Sequence, residues 1–239
     1  GEPMAITNNS TANEMAATAT AILQTGAGTR QHLAVGGDGH ARCIWGVQPK
    51  IYRTYHDTEW GRPVIDERAI FEKLCLEGFQ AGLSWLTILK KREAFRERFQ
   101  GFDPEVLAGW GEAEVADALA DSNIVRNRAK IEATLGNARA AIQLWAAGDS
   151  LAELLWSAGD EPEHVAPVSM LDASAVPLGA TALSKILKKR GFRFVGPTTV
   201  HSTMQSLGVV NDHLLGCWVR DVCETERDEA RQGLSDSSG

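Results

Sequence analysis

Apolar residues recur at helical spacing through most of this chain, and this pattern constrains the fold more than any other feature. After Asp66, which can cap a helix, the residues Ile70, Leu74, Glu77 and Ala81 follow on one helical face. Similar spacing occurs in EVADALADS, NRAKIEATLGNARAAIQLWAAG, TALSKILKKRG and TTVHSTMQSLG, while alternating strand-like runs are short and few. We therefore predict an all-α fold.

Two further signals mark helix starts. In FDPEVLAGW, Asp103 stands at an N-cap position and Pro104 at the first helical position. A last helix is predicted in NDHLLGCWVRDV, beginning at Asn211 or Asp212.

Two segments, residues 1–41 and residues 223–239, carry no sustained apolar period. We expect both to be disordered tails that flank one helical domain over residues 42–222. No stretch approaches the roughly 18 apolar residues of a membrane helix, and the N-terminus lacks the pattern of a secretory signal. We therefore expect a cytoplasmic protein with no membrane partner, and a monomer, since nothing in the chain demands an oligomer.

The net charge of −7 argues at first against a nucleic-acid partner. Much of the surplus acid, however, lies after Cys223, in the expected C-terminal tail. The chain places five cations between Lys185 and Arg193, and no acidic residue follows them until Asp212. This local excess of positive charge keeps a nucleic-acid partner open.

The basic cluster belongs to a predicted helix-hairpin-helix over about residues 180–208, in the run LSKILKKRGFRFVGPTTVHSTMQSLG. Gly191 can end the first helix in the left-handed conformation, Gly196 allows a close backbone approach, and Pro197 opens the second helix. Free amides at that helix start, together with the cations, suit a DNA phosphate. An ordinary helix–helix turn is the alternative. The candidate residues for binding the DNA backbone are Lys188, Lys189, Arg190, Gly196 and Thr198.

Four residues could form a metal site. Cys43 and His56 lie near the start of the predicted domain, and His213 and Cys217 lie near its end. On a helix, the H-x-x-x-C spacing places both side chains on one face, which suits two corners of a tetrahedral zinc site. Two cysteines and two histidines leave no open position, so the set would hold one structural Zn²⁺ ion. From spacing alone, buried thiols and ordinary histidines are the alternative.

Aromatic residues concentrate in IYRTYHDTEWGRP and in the helix that ends in LEGFQAGLSW. Flat side chains around a cavity are what an enzyme needs to stack an unpaired base. The candidates are Tyr52, Tyr55 and Trp85, with Trp45 just upstream. Tryptophans are more often plain core residues, and that alternative stays open for each of them.

Glu77 lies on the apolar stripe of its helix, where a carboxylate is costly unless it is paired. Such a residue is either hydrogen-bonded within the protein or reserved for a ligand. A carboxylate that faces a cavity would favour a cationic ligand and would accept hydrogen bonds from an exocyclic amine.

Six strings stand in order along the chain: RCIW, YHDTEWGRP, LEGFQAGLSWLTILKKR, IVRNRAKIEATLGNA, LSKILKKRGFRFVGPT and MQSLGVVNDHLLGC. Together they resemble the 3-methyladenine DNA glycosylase I family of the helix-hairpin-helix superfamily, over roughly residues 42–217. The resemblance implies an enzyme of base excision repair. Its partners would be double-stranded alkylated DNA and the released methylated adenine, and it would hydrolyse the N-glycosidic bond of N3-methyladenine.

The resemblance also implies roles for individual residues. Glu77 would be the catalytic carboxylate, acting through recognition of the base, with Tyr55 near the base and Trp85 stacked on it. Tyr52 and Trp45 would complete the aromatic lining, and Trp60 is a weaker candidate. The zinc ligands would be Cys43, His56, His213 and Cys217. The chain departs from the family at His201 and Thr203, where aromatic residues are frequent, so we expect that helix to pack differently.

N3-Methyladenine is cationic in DNA and leaves as a neutral base, so the implied enzyme needs no strong general acid. Stacking on Trp85 would favour an electron-poor ring through cation–π attraction. Related hairpin glycosylases that also cut the strand have a lysine close after the hairpin glycines, where this chain has Pro197 and Thr198. We therefore expect a monofunctional enzyme without lyase activity. Asp212 adjoins His213 and has the position of a helix cap, so we expect that it is not the catalyst.

Three other functions fit parts of the pattern. A non-enzymatic lesion-binding or regulatory module could use the same scaffold, although it need not preserve an intact base pocket. A glycosylase for a neutral or oxidised base would have less use for the Glu77 carboxylate. A zinc protein without a nucleic-acid role would leave the cation-rich hairpin unexplained.

Overall fold

The computed structural model describes residues 32–159 and 165–237, and this part of the chain is mostly helical with little strand, in agreement with the all-α expectation. The helices are α1 (Lys50–Thr58), α2 (Glu67–Gln80), α3 (Trp85–Arg98), α4 (Pro104–Ala108), α5 (Glu112–Ala120), α6 (Arg128–Ala146), α7 (Leu151–Ala158), α8 (Met170–Ala173), α9 (Leu178–Lys189), α10 (Pro197–Ser206) and α11 (Arg220–Ser237). An antiparallel ribbon pairs β1 (Leu33–Val35) with β2 (Ala41–Cys43). No helix among the described residues is long and apolar enough to cross a membrane.

The two predicted helix starts, at Asp66 and Asp103, are present in the structure. The Asp66 carboxylate accepts a hydrogen bond from the backbone N–H of Ala69 at 2.8 Å, which caps α2. The Asp103 carboxylate caps α4 in the same way, and Pro104 is the first residue of that helix. Because a cap satisfies amides that a helix start leaves without a partner, these two helix starts could be predicted from local sequence.

Helix α2 lies at the centre of the core. It contacts α3, α6, α7 and α10, and its residues Ile70, Phe71 and Leu74 are almost completely buried. Each large apolar side chain buried in this way stabilises the fold by about 1.5–3 kcal/mol. The helix that carries Glu77 is therefore held on several sides.

The expected C-terminal tail is not a tail in the structure, because α11 runs through it to Ser237. Cys223 is fully buried, the Arg227 guanidinium donates to the carbonyl oxygen of Val209 at 2.9 Å, and Ala230 and Leu234 pack against the main core. These contacts recur at helical spacing, but an arginine interrupts the apolar series. The buried arginine is stable only because the tertiary fold supplies its acceptor.

The expected N-terminal tail also ends earlier than residue 41. Residues 1–31 lie outside the described residues, whereas Leu33 pairs with Cys43 across the ribbon. A three-residue strand carries too few residues for an alternating pattern to be recognised, and its partner strand completes its hydrogen bonds.

The prediction of a helix that begins at Asn211 or Asp212 is wrong for the first part of that segment, since α11 begins only at Arg220. The backbone N–H of Leu215 donates to the carbonyl oxygen of Pro167 at 2.8 Å, and that of Trp218 donates to Ala41 at 2.9 Å. Gly216 adopts a φ of +91°, which a right-handed helix excludes. Long-range backbone hydrogen bonds thus replace the helical pattern that the local sequence indicates.

Candidate active site and metal centre

A cavity of about 190 Å³ lies between α1, α2, the start of α3 and α10. Its volume is below the range of about 300–1,000 Å³ that is typical of sites for larger ligands, and it suits a single planar base. The lining residues are Trp45, Tyr52, Tyr55, Trp60, Glu77, Gln80, Trp85, Ser202 and Gln205. The structure therefore brings all four predicted base-binding residues together with Glu77 and with Trp60, the weaker candidate.

The aromatic rings form the walls of this cavity. Tyr55 and Trp85 lie 5.7 Å apart between ring centroids, and their planes are tilted by 42°. Trp45 contacts Tyr52 and Trp60 edge to face, at 5.7 and 5.0 Å. Tyr55 is buried, which raises its pKa well above the ordinary value, so its hydroxyl stays protonated at neutral pH. The walls present faces on which a base can stack.

Glu77 is 5% exposed, and no residue in the described part of the chain donates a hydrogen bond to its carboxylate. Burial raises the pKa of Glu77 to about 7, although the nearby Lys73 ammonium lowers it. A buried carboxylate without a donor is costly in a structural role. Of the two alternatives left open by the sequence, the geometry favours the carboxylate reserved for a ligand.

Sequence reasoning missed a second buried charge, Lys73, which lies one helical turn before Glu77 on α2. Its Nζ donates to the hydroxyl of Tyr55 at 3.0 Å and lies 3.7 Å from a carboxylate oxygen of Glu59. The Arg92 guanidinium binds the same oxygen. A lysine within the apolar series IFEKLCLEG was the available signal, but its partners lie on α1, on α3 and in the turn after α1.

The four predicted metal ligands meet in one buried cluster, with all ligand atoms within 4.8 Å of one another. Cys217 Sγ lies 3.5 Å from His56 Nε2 and 3.6 Å from His213 Nδ1, and Cys43 Sγ lies 3.9 Å from His213 Nδ1. In a tetrahedral zinc site with bonds of about 2.0–2.3 Å, neighbouring ligand atoms lie roughly 3.3–3.8 Å apart. The donor set therefore fits a zinc ion.

Surrounding groups orient both histidines toward the cluster. The Nδ1 of His56 lies 2.8 Å from the Asp57 carboxylate, and the Nε2–H of His213 donates to the carbonyl oxygen of Trp60 at 2.9 Å. The buried Arg42 guanidinium in turn donates to Asp57 at 2.9 Å. These bonds direct the other nitrogen of each ring at the cluster, an arrangement common around protein metal ligands.

The two cysteines differ in their tendency to ionise. The adjacent Cys43 thiol lowers the pKa of Cys217, with further help from both histidines, and the same pairing raises the pKa of Cys43. The backbone N–H of Leu214 donates to Cys43 Sγ at 3.3 Å and favours a thiolate there too. Thiolate is the form of cysteine that binds a metal, so the cluster is chemically suited to this role.

The predicted hairpin joins α9 to α10. Gly191 has a φ of +93° just after α9, and Gly196 directly precedes Pro197, the first residue of α10. Lys188, Lys189, Arg190 and Thr198 are exposed, and Gly196 is half-buried. Arg190 forms an ion pair with Asp149 at 2.5 Å, which sequence reasoning did not predict.

Two buried polar side chains hold the hairpin against the core. Asn137 accepts from the backbone N–H of Arg193 at 2.8 Å and donates to its carbonyl oxygen at 3.1 Å, while the Ser184 hydroxyl donates to the carbonyl oxygen of Val195 at 2.6 Å. A Cβ atom at Gly78 would lie 3.2 Å from that of Phe194. The hairpin is thus packed onto the residue that follows Glu77.

Asp212 does not cap a helix, because none begins there, and this part of the prediction is wrong. Its carboxylate accepts from the side-chain amide of Gln205 at 2.8 Å and lies 3.2 Å from Nε2 of His201. Asp212 does not line the cavity, whereas Gln205 does. His201 thus finds a polar partner, and Thr203 binds its own helix through the carbonyl oxygen of Thr199.

Comparison with known proteins agrees with this geometry. Residues 45–221 match the sequence model of the family described as methyladenine glycosylase. DNA-3-methyladenine glycosylase 1 of Escherichia coli (strain K12) is 45% identical over 177 residues, which cover 74% of this chain and 95% of that protein. The DNA-3-methyladenine glycosylase of Haemophilus influenzae is 45% identical over 179 residues, which cover 74% and 96%.

Solved structures give the same result. The structure of 3-methyladenine DNA glycosylase I from Staphylococcus aureus, which concerns 3-methyladenine recognition by that protein, has a TM-score of 0.71 and 38% identity and covers 75% of this chain and 96% of that one. A crystal structure of a 3-methyladenine DNA glycosylase I has a TM-score of 0.71 and 46% identity, with coverage of 74% and 98%. This chain belongs to the methyladenine glycosylase family.

Proposed function

We propose that this protein is a DNA-3-methyladenine glycosylase, which hydrolyses the N-glycosidic bond of N3-methyladenine in alkylated double-stranded DNA. The observation that carries the proposal is the Glu77 carboxylate, which faces an aromatic cavity of base size without a hydrogen-bond donor among the described residues. The relatives that match over most of their length are named for the same activity.

The cavity selects the base by charge and shape. A flipped-out N3-methyladenine would stack on Trp85 and Tyr55, whose π faces attract an electron-poor ring. Glu77 would accept a hydrogen bond from the exocyclic amine and stabilise the positive charge of the base. Neutral adenine lacks that charge and gains less from the carboxylate.

The reaction demands little acid–base chemistry from the protein. The bond between the sugar C1′ and N9 breaks, its electron pair neutralises the leaving base, and a water oxygen bonds to C1′ as the water loses a proton. A lyase step would need an amine nucleophile in the cavity, and no lysine is among the described residues that line it. This supports a monofunctional glycosylase.

The helix-hairpin-helix would hold the DNA backbone beside the cavity. The backbone amides at the start of α10, around Gly196 and Thr198, have no acceptor within that helix and can bind a phosphate. Lys188, Lys189 and Arg190 would add attraction, with Arg190 partly offset by Asp149. The enzyme would act on DNA as a monomer.

One structural Zn²⁺ ion would be held by Cys43, His56, His213 and Cys217. Four protein ligands leave no position for a substrate, so the ion would supply stability and no chemistry. It would join the segment around β2 and α1 to the loop between α10 and α11, which the chain separates widely.

The test is chromatographic identification of the bases that the purified protein releases from methylated duplex DNA. Release of N3-methyladenine with little N7-methylguanine is the expected result. Release of a different base would identify a glycosylase that excises another lesion. No release by a folded, zinc-loaded sample that binds the damaged duplex would replace the proposal with a non-enzymatic lesion-binding module.

A further inference from the structure

The ammonium of Lys73 lies behind two walls of the base cavity. Its Nζ is 4.7 Å from the ring centroid of Trp85 and 4.9 Å from that of Tyr55. Lys73 is only 7% exposed and is not among the residues that line the cavity. The two aromatic rings on which a base would stack therefore each carry a cation contact from within the protein.

The charges around this lysine come from α2, from α3 and from the turn after α1. Glu77 and Glu72 share α2 with it, Glu59 follows α1, and Arg92 on α3 pairs with Glu59. Burial lowers the pKa of Lys73, while Glu77 and Glu59 favour its charged form. The Arg92–Glu59 pair is neutral as a whole, so the ammonium of Lys73 is the charge that offsets Glu77.

This arrangement acts on a bound base in two ways. A cation that already contacts an aromatic ring reduces the attraction of that ring for a second cation. The same positive charge cancels part of the potential that the Glu77 carboxylate creates in the cavity. Both effects weaken the binding of a cationic base and leave the stacking of a neutral one almost unchanged.

We propose that Lys73 is a specificity-determining residue, which lowers the preference of the base cavity for a cationic purine over a neutral one. The inference rests on the proposed function, because it assumes that the base binds between Trp85, Tyr55 and Glu77. It extends that function to neutral purines, which the cavity of this chain would disfavour less, relative to cationic purines, than a cavity without the lysine.

The experiment measures calorimetric affinities at pH 7.5 for two free ligands. One is 3,9-dimethyladeninium, a permanent cation whose N9 methyl group stands in for the sugar, and the other is 3-methyladenine, which is largely neutral at that pH. Lys73→Met removes the charge and the hydrogen bond to Tyr55, whereas Lys73→Gln removes the charge and keeps a donor. Lys90→Met, which changes an exposed lysine on α3, is the matched control.

Both Lys73 variants are expected to raise the affinity ratio of cation to neutral base by about tenfold, since the charge acts across an aromatic ring at an effective dielectric constant of about 20. Lys90→Met should leave the ratio unchanged. A ratio within twofold of wild type in both Lys73 variants would overturn the proposal. A change in Lys73→Met alone would also overturn it, because the hydrogen bond to Tyr55 would then be responsible.

A further variant tests the proposal if the Lys73 variants do not fold. Glu59→Gln leaves Lys73 in place but removes the carboxylate that neutralises Arg92 beside it, so the net positive charge near the two rings increases and the ratio should fall by several-fold. An unchanged or increased ratio would contradict the proposal. If the wild-type protein binds neither base, both the proposed function and this inference are overturned. An unchanged ratio in a protein that binds both bases overturns this inference alone.

Discussion

The Nε2–H of His213 donates to the backbone carbonyl oxygen of Trp60 at 2.9 Å. The Trp60 ring also packs edge-on against the His213 ring, with centroids 4.6 Å apart, and lines the base cavity. One histidine thus belongs to the metal cluster and supports a wall of the cavity. The metal centre and the base site are adjacent parts of one structure.

We expect one zinc ion per chain and a lower melting temperature when it is lost. Removing a ligand with Cys217→Ser should abolish metal binding and lower Tm by roughly 10 °C or more, because metal affinity contributes directly to folding. Elemental analysis and thermal melts measure both quantities. Cys75→Ala, which alters a buried thiol outside the cluster, should keep the ion. A folded wild-type protein without bound metal would contradict the zinc assignment.

Glu77→Gln should slow excision of N3-methyladenine by roughly 10- to 100-fold in single-turnover assays. The substitution keeps the shape of the side chain but removes a charge-assisted hydrogen bond of about 1.5–3 kcal/mol. Glu97→Gln, an exposed change on α3, is the control and should be neutral. Wild-type rates in the Glu77 variant would remove this residue from the mechanism.

The same variant should change how stability depends on pH. Burial raises the pKa of Glu77 from 4.5 to about 7, so the folded state binds the proton more tightly than the unfolded state does. The stability contribution of the protonated group is complete below about pH 4.5 and is lost as the pH rises through 7. Relative to wild type, Glu77→Gln should therefore gain stability over this window, by at most roughly 3 kcal/mol. Urea unfolding at several pH values measures it, and a constant difference would contradict the prediction.

Alanine substitution of Lys188 and Lys189 together should weaken DNA binding and its dependence on salt. Each lost phosphate contact is expected to reduce the slope of log affinity against log salt by about one, whatever the DNA sequence. Binding of free 3-methyladenine should not change, because neither lysine lines the cavity. An unaltered slope of log affinity against log salt would show that the DNA backbone binds to another surface of the protein.

A chain that ends at Val222 should be less stable than the full chain by about 2–4 kcal/mol. The truncation removes the buried Cys223 and the apolar contacts of Ala230 and Leu234. A chain that ends at Leu234 keeps these contacts and should unfold like the full protein. Equal denaturation midpoints for all three chains would show that α11 adds nothing to stability.

Local sequence determined the features that depend on neighbours along the chain. The capped starts of α2 and α4 follow from Asp66 and Asp103, whose side chains bind amides two or three residues away. The unusual position of Glu77 was also visible, because the helical period alone shows which face a residue shares. The membership of the metal cluster was predictable from the residue types, although the helical geometry expected for His213 and Cys217 was wrong.

Tertiary structure decided the features whose partners are remote in sequence. Only the packing of α1 and α3 against α2 brings Tyr55 and Trp85 to Lys73, and only the fold gives Arg227 a buried acceptor, which makes α11 part of the domain. Asn137 likewise binds a hairpin that follows it by more than fifty residues. The physical reason is that a buried polar group is stable only with its partner, and the identity of that partner is set by long-range packing, which no local pattern records.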